Sequence, residues 1–86
     1  MKNKLTKRLE KLEQDILNIK PKVSNSDTLN MINSMLITIV TITAGIKFID
    51  KLDKEDIKDV EDLLENGKDF IIEVKKDEKI GRLYSK

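Results

Sequence analysis

The sequence predicts an all-α fold: a small bundle of three to four helices with a coiled-coil-like first helix, assembled into an oligomer. Three observations carry this expectation. Apolar residues recur at helical spacing in "KNKLTKRLEKLEQDILNIK" and again across "MINSMLITIVTITAGIKFI". Pro21 and the cluster "SNSD" separate the two stretches. The chain has 86 residues with no Cys and no His. A core that small is marginal alone, and neither disulfides nor the commonest metal ligand can support it, which leaves association.

The first helix is expected over residues 1–20. Leu5, Leu9, Leu12, Ile16 and Ile19 step by 4, 3, 4 and 3, the a/d spacing of a coiled-coil seam. Lys7, Glu10, Lys11 and Glu13 flank the stripe. Pro21 ends the helix, because its ring blocks continuation and pushes Lys20 out of the helical region. A linker follows over 21–27, with Ser24 or Asp27 as the expected cap of the next helix.

A central helix is expected over 28–52. Ile32, Met35, Ile39, Ile42, Ile46 and Ile49 step by 3, 4, 3, 4 and 3, and Leu29, Leu36, Val40, Phe48 and Leu52 widen the face. The β-branched run "ITIVTIT" would also suit a strand. Adjoining Ile39 and Val40 break a period of two, however, while the heptad spacing survives to Ile49. Gly45 costs such a helix about 1 kcal/mol, and its missing side chain suits a close helix contact.

An acidic helix is expected over 53–66. Asp53 reads as its N-cap, Asp56 as the residue reaching back, and Leu52 with Ile57 as a hydrophobic staple. Ile57, Val60, Leu63 and Leu64 form a narrow stripe, and Asn66-Gly67 reads as the stop. Residues 68–86 are expected to form a fourth helix. A β-hairpin of "FIIEV" and "KIGRLY" is the competing reading.

The chemistry is bounded by what is missing. Without His or Cys the common catalytic triads cannot be built. Three glycines, Gly45, Gly67 and Gly81, make no phosphate loop. The acidic run from Asp53 to Asp62 has apolar helical periodicity and lacks the ligand spacing of a calcium loop. No catalytic, metal-binding or cofactor-binding residue is assigned.

The net charge is +1, but its distribution is uneven. Residues 1–26 carry seven Lys/Arg against three acids, and 27–67 carry four Lys against nine acids. Lys4, Lys7, Arg8 and Lys11 are the candidate contacts to an anionic partner. Nucleic acid is disfavoured as that partner. The chain has two Arg and three aromatics, too few for base readout and stacking.

Thr28 to Ile46 is a run of nineteen residues without a charge, long enough to raise a membrane span over 28–49. Asn30, Asn33 and Ser34 interrupt its first third, and no Trp or Tyr belt flanks it, so a soluble core helix is the preferred reading. The N-terminus lacks the apolar stretch of a secretory leader.

The expectation is a single domain over 1–86, non-catalytic, cytoplasmic and self-associating, with another protein as a further partner. Its oligomer or partner seam is Leu5, Leu9, Leu12, Ile16, Ile19, Ile32, Met35, Ile39, Ile42, Ile46 and Ile49. A single-span membrane protein of holin or accessory type is the alternative, and a helical nucleic-acid-binding dimer the third. The Lys/Asn/Ile-rich, Arg-poor usage points to an AT-rich genome. Small size then suggests a phage or mobile-element adaptor, inhibitor or regulator, placed in the virion or the host cytoplasm.

Overall fold

The computed structural model describes residues 2–77. Three helices run antiparallel in sequence order: α1 (Lys2–Ile19), α2 (Ser26–Phe48) and α3 (Lys54–Asp77). A single 3-10 turn over Lys20–Lys22 follows α1. The described residues hold no strand. The all-α class is therefore present, built from three helices.

The helix ends follow from local chemistry. Pro21 sits in the first turn of the 3-10 segment, where a missing N–H costs nothing. The cap of α2 is Asn25, where Ser24 or Asp27 was expected. Its Oδ1 accepts from the N–H groups of Asp27 at 2.9 Å and Thr28 at 3.1 Å, and α2 starts two residues earlier than the spacing predicts. It also ends at Phe48 rather than 52. The capping box of α3 is where the sequence put it. The Asp56 N–H donates to Asp53 Oδ1 at 2.8 Å, and the Asp53 N–H donates to Asp56 Oδ2 at 3.5 Å.

α2 remains helical despite its β-branched run. Thr38 and Thr43 turn their hydroxyls back to the carbonyls of Ser34 and Ile39, at 3.0 and 2.7 Å. Bonding of this kind satisfies a threonine inside a helix without a tertiary partner.

The acidic helix does not stop at Asn66-Gly67, which corrects the sequence expectation. α3 continues to Asp77. Gly67 is buried inside α3, and a Cβ built there would lie 2.4 Å from Leu12 Cδ2. This glycine lets α1 and α3 approach closely instead of turning the chain. Gly45 shows the converse: a Cβ there meets nothing within 4 Å among the described residues. The close contact expected at Gly45 is found at Gly67. Phe70 to Val74, one strand of the competing hairpin, lies in α3. The other strand, with Tyr84, falls outside the described residues.

α1 packs along both α2 and α3, whereas α2 and α3 touch each other far less. The result is a slab 47 Å long and 17 Å thin. Its core is the whole α1 stripe, Leu5, Leu9, Leu12, Ile16 and Ile19, joined by Val23, Ile32, Ile39, Ile46, Val60, Leu64 and Val74.

Candidate interaction surface

The residues expected to form an oligomer seam divide into two groups. Leu5, Leu9, Leu12, Ile16 and Ile19 are buried within one chain, as are Ile32, Ile39 and Ile46. These eight form the core of the single chain. Met35 and Ile42 are half-buried, and Ile49 is exposed. The physical reason is the third helix. With α3 present, α1 and α2 find apolar neighbours inside their own chain.

The surface left over lies on the opposite side of α2. Met31, Ile37, Val40 and Phe48 of α2 are exposed, with Phe48 at 88%. Ile49, which caps the helix, is exposed as well. Leu17 and Ile72 are the other large apolar side chains exposed among the described residues. Asn30, Ser34, Ile37, Thr41, Ala44 and Phe48 step by 4, 3, 4, 3 and 4, and all six are exposed. α2 therefore carries two heptad stripes, one turned into the core and one turned out. Just 22% of its most apolar window is buried, whereas the core helix of a soluble protein is normally covered on most sides. The outward stripe was missed because the inward isoleucines dominate the pattern. Its signal was the breadth of the apolar face, to which Val40 and Phe48 already contributed.

The sparse contact between α2 and α3 leaves a groove along the slab. One cavity in it, about 460 Å3, is bordered by Asn30, Met31 and Ser34 of α2 and by Leu63 and Phe70 of α3. A second, about 350 Å3, lies toward the other end, between Ile42, Ile49, Leu52 and Val60.

A third concavity, about 450 Å3, lies between α1 and α3. Lys7, Arg8, Lys11 and Lys68 surround an apolar floor of Leu12 and Leu64, with Asp15 at the edge. Three of the four expected anion contacts thus meet in one place; Lys4, exposed on α1, does not line it. Part of this charge is already engaged. Lys11 pairs with Asp15 at 3.1 Å, and Arg8 faces Glu61 at 4.0 Å. Lys47 joins α2 to Glu10 of α1 at 3.4 Å. All three pairs are substantially exposed, so each contributes little to stability. Lys2 Nζ also donates to the Ile49 carbonyl, tying the start of α1 to the end of α2.

The described residues contain no group of three or more carboxylates placed to hold a metal ion. Comparison with protein families, curated proteins and solved structures finds no match to this chain. Fold and surface together define a class: an antiparallel three-helix slab whose middle helix exposes Ile37, Val40 and Phe48 on its outward side.

Proposed function

We propose that the chain is a non-catalytic association module, in which α1 and α3 form a scaffold that presents the outward face of α2 to another protein chain. The observation that carries this reading is the exposure of Ile37, Val40 and Phe48 on a helix whose opposite side buries Ile32, Ile39 and Ile46 in the core. Large apolar side chains grouped on one exposed helix side cost solubility, and apolar surface of this kind marks interaction sites on soluble proteins.

The membrane alternative has a specific observation behind it, since α2 is long and apolar enough to cross a bilayer. Its neighbours speak against it. Glu10 of α1 pairs with Lys47 of α2, and Arg8 and Lys11 lie on the α1–α3 side of the same slab. Drawing the bundle into hydrocarbon would carry these charges with it, at roughly 2.5–3.5 kcal/mol each near the centre. Withdrawing α2 alone would expose the α1 stripe to water.

Sedimentation of the protein purified without detergent, for the wild type and for Ile37→Asp, tests the reading. Detergent-free solubility with concentration-dependent association in the wild type, reduced in the variant, supports it. A wild type recovered in the membrane fraction and released by detergent alone would sink it.

A further inference from the structure

Resting on that reading, we infer that the outward face of α2 pairs antiparallel with α2 of a second copy, about a twofold axis level with Ile39. Each Phe48 then lies beside Asn30 of its partner, at the mouth of the cavity bordered by Asn30, Met31 and Ser34.

The argument begins with the spacing. Asn30, Ser34, Ile37, Thr41, Ala44 and Phe48 form an a/d stripe on exposed positions. In an antiparallel pair, a and d positions of one helix meet d and a positions of the other. One register satisfies all six: Phe48 opposite Asn30, Ala44 opposite Ser34, and Thr41 opposite Ile37. In two of these three layers a large side chain faces a smaller one. The aromatic ring, 88% exposed in the single chain, meets the edge of a cavity of about 460 Å3 in its partner. The same contact repeats by symmetry at the other end, as an isologous interface requires.

The parallel arrangement fits worse. It would stack Phe48 on Phe48 and Asn30 on Asn30, bringing no aromatic ring to the cavity that Asn30 borders, and would set the two Lys47 side chains at the same level. It would also align the two helix dipoles unfavourably. The antiparallel arrangement brings the acidic first turn of α2, with Asp27, to the same end as the basic last turn of the partner's α2, with Lys47. The polar layers at Asn30, Ser34 and Thr41 lower the affinity but fix the register, the usual effect of a polar residue at a seam position. At Gly45, beside the stripe, a Cβ meets nothing within 4 Å among the described residues, which leaves room for a second helix.

The test uses the full chain, which has no native cysteine. Sedimentation equilibrium should give about twice the 9.9 kDa chain mass at tens of micromolar. Phe48→Ala should raise the dimer dissociation constant by roughly tenfold or more, with helicity by circular dichroism unchanged. Ser34→Cys and Ala44→Cys chains, mixed and oxidised, should form the mixed disulfide. Each alone should not, because like residues in this register are separated by roughly 15 Å along the axis, beyond disulfide reach. Disulfide formation by either variant alone, as a parallel pair gives, overturns the inference but keeps self-association. A soluble monomer at every concentration overturns it while leaving an unlike protein as the partner. Detergent-dependent recovery overturns both this inference and the reading it rests on.

Discussion

The side chain of Leu12 lies against the backbone of Gly67, so close that a methyl at residue 67 would stand 2.4 Å from Leu12 Cδ2 and 2.9 Å from Cδ1. Leu12 is 4% exposed and belongs to the core stripe. This contact joins α1 to α3 in the middle of α3, where a glycine otherwise weakens a helix. The usual benefit of Gly→Ala in a helix, about 1 kcal/mol, is therefore offset here by overpacking, which costs typically about 1–3 kcal/mol. Gly67→Ala should leave stability unchanged or lower, while Gly45→Ala should raise it by about 0.5–1 kcal/mol. Both are measured by urea melts in the Phe48→Ala background, where pairing does not contribute. Leu12→Ala in the Gly67→Ala chain should cost at least about 1 kcal/mol less than in the wild type, since contacting residues couple by roughly 0.5–3 kcal/mol. Additive costs would show that Leu12 turns aside freely.

The caps provide a second comparison. Asn25 Oδ1 accepts two backbone N–H groups and Asp53 Oδ1 accepts one. Asn25→Ala and Asp53→Ala should each cost about 1 kcal/mol, within the range of roughly 0.5–2 for lost N-caps. Asp56→Ala should cost less, because its bond back to Asp53 is long at 3.5 Å. Chemical denaturation of the three variants ranks them. A larger loss at Asp56 than at Asp53 would contradict the assignment.

How much of this was legible in the sequence depends on what each residue was signalling. The α1 stripe, the break at Pro21 and the Asp53–Asp56 box rest on local rules, and the structure contains them where those rules place them. Gly67 was misread because Asn-Gly is a local turn signal, while the reason for this glycine is Leu12, 55 positions away in the chain. The seam was assigned to association because nothing in the sequence shows that α3 packs on α1 from the same chain. The α2 start was displaced because Ser24, Asn25 and Asp27 all suit a cap, and geometry alone selects Asn25. The outward face was half legible: the excess of apolar residues on α2 was visible, but not the side left bare.

Salt should matter little. The cross-helix pairs Arg8–Glu61 and Lys47–Glu10 are 4.0 and 3.4 Å long and about half exposed. Raising the salt concentration from 0.05 to 1 M should then change the unfolding free energy by no more than about 1 kcal/mol. Reversing Lys7, Arg8 and Lys11 to Glu should cost more than reversing Lys75 and Lys76, because the first set includes Arg8, which faces Glu61 of α3, and Lys11, which pairs with Asp15. Equal costs in guanidinium-free melts would mean that the α1–α3 charge contact has no net effect.

Ile37 and Ile39 carry the sharpest prediction, because two positions on one helix separate the core from the surface. At 100° per residue they point about 200° apart; Ile39 is 0% exposed and Ile37 is 67% exposed. Ile39→Ala should cost about 2–5 kcal/mol, and Ile39→Asp should unfold the chain, since the buried carboxylate would have no partner. Ile42, half-buried beside the α2–α3 groove, should give a smaller loss than Ile39. Ile37→Ala should shift monomer stability by no more than about 0.5 kcal/mol, the range for surface positions. Ile37→Asp should keep native helicity and a cooperative melt yet abolish association, because a charge would then sit in the seam against the partner's Thr41. Circular dichroism melts and sedimentation of the five variants decide the matter together. If Ile37→Asp unfolds the chain as Ile39→Asp does, α2 is covered on both sides within a single chain, and its outward face is not the surface through which this protein associates.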